Sequence, residues 1–159
     1  MDAGLNFEAD PLIGKIFDSY SEECIALAGS FGIALDRSEA SVAQIEKIAS
    51  VFHNQMPAGG VPEARLVKLQ KVLGSHLAQV LIGSRHGVAG VVHIGDSQVP
   101  AVCMPSGEVC WPWAQLRRRI LEGASENVWQ HYCNVVASSQ ARTGEPDPVV
   151  PTHQSTAPV

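Results

Sequence analysis

Two thiols, two indoles and three consecutive guanidiniums crowd into Val99–Arg119, VPAVCMPSGEVCWPWAQLRRR. Cys103 and Cys110 with a nearby histidine would suit zinc, which accepts thiolate and imidazole in tetrahedral geometry. Trp111 and Trp113 would suit stacking on a base or a ligand. Arg117, Arg118 and Arg119 would suit a carboxylate, a phosphate or an acidic partner. Whether these groups act together depends on the elements that aim them.

The turn between the cysteines decides the first case. Pro105 holds φ near −65°, which fits the second residue of a type I turn and rejects a primed two-residue turn, where φ must be positive. A Pro105-Ser106-Gly107 loop fits better, with Gly107 in the left-handed region and a bulge after it. Met104 then opposes Glu108, Cys103 opposes Val109, and Cys110 opposes Val102. Strand side chains alternate between faces, so Cys103 and Cys110 point to opposite sides and share neither a metal nor an easy disulfide. They read as small buried hydrophobes, and no metal site is expected.

Helical spacing sorts the rest of the stretch. At roughly 100° per residue, Trp113 falls on one face with Leu116 and Ile120 and is expected in the core. Arg118 points nearly opposite that face, while Arg117 and Arg119 flank it. Near a helix C-terminus each arginine contributes about 0.3–1 kcal/mol through the helix dipole. The functional alternative is recognition of an acidic group by Arg119 or Arg117 at the rim of a cleft, beside Trp111, whose direction the spacing leaves open. Arg119, Arg117 and Trp111 are therefore the candidate binding residues.

The histidines His53, His76, His86, His93 and His131 are scattered, with no HExxH pair. His76 falls beside the apolar stripe of a helix and reads as a hydrogen-bonded core histidine. His93 lies in a strand, and SRHG, Ser84–Gly87, reads as a helix-terminating turn. The chain carries no GxSxG, P-loop or GxGxxG motif. No catalytic residue and no cofactor are assigned.

Composition bounds the class. A chain of 159 residues, 45% hydrophobic and 17% charged, suits one soluble domain that folds without staples. No apolar run approaches the roughly 20 residues that span a bilayer. The N-terminus, MDAGLNFEADPLIGKIF, begins acidic and lacks a basic segment followed by an apolar stretch, which speaks against a signal peptide and for the cytoplasm. There the four cysteines remain thiols. A net charge of −5 disfavours nucleic acid and anionic membrane as partners. A basic face, if there is one, would need Arg65, Lys68, Lys71, Arg85 and the arginine triplet together.

The positioning elements follow from periodicity. From Pro11 onward, Ile13, Ile16, Phe17, Tyr20, Cys24, Leu27 and Phe31 mark one helix ending near Gly29 or Gly32. Ser41 and Gln44 form a capping box before the stripe Val42, Ile45, Ile48, Ala49 and Phe52 of a second. NQMPAGGVP breaks it, and a third helix starts with Pro62 in its first turn, carries Leu66, Leu69, Leu73, Leu77 and Val80, and stops near Gly83. GVVHI, QVPAVCM and EVCW, separated by GDS and PSG, read as a three-stranded antiparallel meander. Helices over Pro112–Glu122 and Glu126–Ala137 follow, the last capped by Ser125. The expected fold is α+β, with helices on one face of a small three-stranded sheet, as a single domain over residues 1–137. From Ser138 a proline-rich tail to residue 159 lacks the apolar surface to offset ordering entropy and is expected disordered.

FGIALDRSEASVAQIE, KVLGSHLAQVLI and SGEVCWPWAQLRRRILEGASENVWQHY together resemble a bacterial domain family of unknown function. Its pattern is a Leu-Asp-x-Ser start to a helix, a Leu-Gly-x-x-Leu-Gly helix, a short sheet, and Pro-aromatic-x-x-Val-x-Lys-Arg-Leu-x-x-Gly before a last helix. Leu35, Asp36, Ser38, Leu73, Gly74, Leu77, Gly107, Pro112, Trp113, Leu116, Arg118, Arg119, Ile120 and Gly123 stand at those positions. The helix's second glycine is missing or shifted, and Val91-Val92 lacks the tryptophan often found in the first strand. The resemblance spans roughly Phe31 to Tyr132 and implies an architecture, with no activity attached.

Two functional expectations result. One is a small cytosolic interaction module, an immunity-like or regulatory partner of another protein. The other is an enzyme or small-molecule binder using a Cys or His near the sheet, which would need that residue beside a carboxylate or arginine in a concave pocket.

Overall fold

A computed structural model describes residues 5–143. Its elements run β1 (Phe7–Ala9), α1 (Pro11–Ser30), α2 (Ser41–Gln55), α3 (Glu63–Arg85), β2 (Val88–Ile94), β3 (Ser97–Cys103), β4 (Val109–Cys110), α4 (Pro112–Glu122) and α5 (Val128–Thr143). Short 3₁₀ turns over Met56–Ala58 and Ala124–Glu126 follow α2 and α4. The architecture is mixed helix and sheet around one continuous apolar core.

The sheet has four antiparallel strands in the order β1-β2-β3-β4, one more than the sequence pattern suggests. The added strand, Phe7–Ala9, is too short to show an alternation of its own. It pairs along the edge of β2, Glu8 opposite Val91, and Glu8 Oε1 meets His93 Nε2 at 2.8 Å. The hairpin register is the expected one: Val102 faces Cys110, Cys103 faces Val109, and Met104 N–H donates to Glu108 O at 2.8 Å. Gly107 takes φ +95°, so the loop needs a residue without a Cβ there. Cys110 is buried toward the core and Cys103 is half-buried on the other face.

Below the sheet lie α1 and α3. Asp10 caps α1 by accepting from Leu12 N–H at 2.9 Å, and Pro11 supplies the first helical residue. Ile13, Phe17, Ser21, Cys24 and Ala28 recur at helical steps and form its buried face. α3 is central: every residue from Val72 to Ala78 is buried, so it is enclosed all round in its middle. Gly74 makes that possible, because a Cβ there would stand 2.7 Å from Pro112 O and 2.9 Å from Trp113 Cα, where α4 crosses. α2 and α5 pack together and complete the side away from the sheet.

Four helix boundaries depart from expectation. Ser41 is the first residue of α2 rather than its cap. Its hydroxyl donates to Ser38 O, while Asp36 accepts from the Ser38 N–H and shapes the preceding turn. α3 runs two residues past Gly83 to Arg85 and ends on His86 at φ +62°, with Gly87 N–H bonded back to Leu81 O. α5 is capped by Asn127, whose side chain accepts from Gln130 N–H at 2.8 Å, because Ser125 is taken up in the 3₁₀ turn. α5 also continues through residues 138–143, so any tail starts later than Ser138. Residues 144–159 of the expected tail lie outside the described residues.

Candidate functional site

The arginine triplet divides among three neighbours. Arg117 reaches back to the start of α3, bonding Gln70 Oε1 at 3.0 Å and Glu63 Oε1 at 3.1 Å. Exposed Arg118 turns to Gln115 at 2.8 Å and Glu126 at 3.3 Å. Arg119 does not edge a cleft: it is 4% exposed and bound to Glu46 of α2 through Nε at 2.9 and 3.0 Å and Nη2 at 2.8 Å. Glu46 Oε1 also accepts from Val128 N–H at 2.9 Å, so one carboxylate ties α2 to α4 and to the first turn of α5. Arg119 Nη1 has no hydrogen-bond partner. The guanidinium that spacing offered to a partner is thus committed to an internal carboxylate. Trp111 ends the hairpin, stands at the cap position of α4 and is half-buried.

Other chemistry-bearing groups are similarly internal. His76 is fully buried between two hydroxyls, Nδ1 3.0 Å from Ser21 Oγ and Nε2 3.0 Å from Ser41 Oγ. Ser41 uses its one proton on Ser38 O at 2.6 Å, so its oxygen must accept from His76 Nε2–H. Nδ1 is then the acceptor for Ser21, and the ring is neutral with every polar atom satisfied. Burial, reinforced by Arg37, pushes its pKa down to about 4. Arg85 pairs with Glu39 at 2.7 Å, and the buried Tyr132 hydroxyl donates to the same Glu39 oxygen. Burial, then Glu39, pushes the phenol well above its ordinary value. Burial likewise raises the Cys24 and Cys110 thiols to about 12, which leaves them without thiolate at neutral pH.

Two of the surface hollows are lined by described residues. One, about 200 Å³, is lined by Gln115, Ser125, Glu126, Gln130, His131 and Asn134 among others. Burial lowers the His131 pKa, and no hydrogen bond joins Ser125, Glu126 and His131 into a relay. Among the described residues no group of three or more His, Cys, Asp or Glu is placed to hold a metal ion. No helix among them is long and apolar enough to cross a membrane.

The other hollow is an open groove of about 490 Å³ between α1, α3 and the start of α4. Ile16, Ser19, Tyr20 and Glu23 line it from α1, Lys68 and Lys71 from α3, and Trp113 from α4. Trp113 is half-buried rather than fully enclosed. Its indole N–H donates to Ser75 Oγ at 2.9 Å, which fixes the ring. Phe17 and Tyr20 meet it edge-on, with centroids 6.3 and 6.1 Å away. Lys68 lies 5.5 Å from the Tyr20 centroid and pairs with Glu23 at 3.0 Å, an ion pair that raises its pKa. Lys71 lies 5.4 Å from the Trp113 centroid and is paired with no carboxylate among the described residues. The groove therefore holds two ammonium groups to one carboxylate, in a chain of net charge −5.

Sequence reasoning missed this groove. Tyr20 and Ile16 stood in the first helix's apolar stripe and Lys68 and Lys71 in a basic list, but nothing local joined them to Trp113. Lys68 and Lys71, three apart on one helix, were the available signal.

No protein-family model, curated protein or solved structure matches the chain.

Proposed function

We propose that this chain is a small protein-binding module of the cytoplasm, immunity-like or regulatory in kind, and that its partner docks in the groove between α1, α3 and α4. The observation that carries this reading is the pairing of an anchored aromatic floor, Trp113 with Tyr20, with a lysine that has no internal counter-ion. Aromatic rings held rigid at low entropy cost, edged by charge, are the usual makings of a binding hot spot. Arg117, one helical turn beyond Trp113 and a third exposed, extends the groove's rim in this reading. Arg119 has no part in it, since its guanidinium is buried against Glu46.

Site-specific cross-linking in the native cell tests it. A photoactivatable residue at exposed Ser19 should capture one defined protein, and the same group at exposed Asn54, on α2, should not. Lys71→Glu should abolish the Ser19 product. Equal capture from both positions, or a Ser19 product indifferent to Lys71→Glu, would sink the proposal.

A further inference from the structure

We infer that the groove's ligand is an acidic peptide segment, a carboxylate side chain next to an aromatic or branched apolar one, with the carboxylate on Lys71 and the apolar group against Trp113 and Ile16. This inference rests on the protein-binding reading and specifies the chemistry its partner must carry.

Charge argues for the carboxylate. Every described arginine of the α4 triplet has an acidic neighbour, and Lys68 has Glu23, but Lys71 has the indole face alone. A cation over an aromatic ring is drawn to its quadrupole and keeps its full charge, so it still attracts an anion brought to its free side. The floor is apolar where the charge stops: Ile16 is 39% exposed, and Leu12, one turn earlier on α1, is 64% exposed. An anchor next to a carboxylate therefore meets apolar surface on the α1 side and ammonium on the α3 side.

Geometry favours a peptide over a nucleic acid strand. A stacking platform for bases needs an open aromatic face in a continuously basic groove. Here the Trp113 and Tyr20 rings stand perpendicular to one another at 86°, each has a lysine over it, and Glu23 is among the lining residues. An extended phosphate backbone would run past that carboxylate. One side-chain carboxylate needs only Lys71, which has no carboxylate paired with it among the described residues.

The test is a titration of the full chain, ¹⁵N-labelled, at low ionic strength. Four probes are compared: an acetylated, amidated hexapeptide carrying adjacent Glu and Phe, the same peptide with Gln for Glu, the same with Ala for Phe, and a ten-residue deoxythymidine strand. The Glu-Phe peptide should shift the Trp113 indole signal and the amides of Ser19 and Lys71. Its affinity should fall about three- to fivefold with Gln for Glu, the size of a single exposed charge contact, and as far or further with Ala for Phe. Lys71→Glu should reverse the charge preference, binding a Lys-Phe peptide better than the Glu-Phe one. Equal binding of the Glu and Gln peptides, shifts away from the groove, or tighter binding of the oligonucleotide would each overturn the inference. Failure of every peptide with a surviving Ser19 cross-link would overturn the acidic segment and leave the protein-binding reading standing. Loss of the cross-link itself would remove that reading.

Discussion

Two cations in this molecule, Arg119 on α4 and Lys71 packed against it, have opposite fates. Arg119 is sealed on a carboxylate of α2, with a second contact from that carboxylate to the α5 backbone. Lys71, on the neighbouring helix, faces an indole ring and solvent with no carboxylate beside it. Both are cations near a helix surface, but burial forces a counter-ion on the first, because an unpaired buried charge costs several kcal/mol. The second stays hydrated and owes the fold no partner. Interior charge here serves assembly, and the charge left at the surface carries no such structural duty.

The sharpest way to break the contrast is to remove the interior counter-ion. Glu46→Ala should cost roughly 3–5 kcal/mol, since it strands Arg119 and frees the Val128 N–H together. Urea unfolding would measure it, and an effect below 1 kcal/mol would mean that Arg119 finds water instead. Replacing both partners by apolar residues should recover much of the loss.

Acid probes the other buried polar unit. The folded pKa of His76 lies near 4, below the ordinary imidazole value of 6.5. The unfolded chain therefore binds the extra proton first, and stability present above pH 6.5 is lost as pH falls toward 4, about 3 kcal/mol if the whole difference is realised. Unfolding free energies of the native chain and His76→Gln across pH 7 to 4 would show it. The variant, though weaker at pH 7, should have the flatter profile, and parallel profiles would refute the assignment. His131, also depressed by burial, adds a slope of the same sign to both chains.

Gly74→Ala tests the crossing that brings Trp113 to the groove. With Pro112 O only 2.7 Å from the added Cβ, α4 must shift, at roughly 1–3 kcal/mol. The same substitution at Gly83, where nothing lies within 4 Å, should leave stability unchanged or slightly raised. The smallest effect on stability belongs to Lys71→Glu, within about 0.5 kcal/mol. If that change destabilises the fold as much as Glu46→Ala does, the two cations are alike and the contrast fails.

The stretch Val99–Arg119 shows how much could be read from order alone. The loop Pro105-Ser106-Gly107, the register that separates Cys103 from Cys110, and helix Pro112–Glu122 were all recoverable, because φ limits, alternation and a glycine stop act over a few residues. Depth was not recoverable. Angular position on α4 placed Arg119 at an edge, but whether that edge faces water depends on α2, which supplies Glu46 from 73 positions away. Ser41 misled for the same reason: its hydroxyl looked like a helix cap and instead serves His76, 35 positions on.

What the order of residues determined by itself was local: which segments coil, which pair, where the chain turns, and which side of each element is apolar. Those properties depend on backbone sterics and periodicity within a few residues. What only tertiary structure decided was the partner of each charged or polar group, and so which of them had none. That depends on which elements meet, and a carboxylate brought across the core turned the most conspicuous arginine into scaffold while Lys71 was left to face the surface.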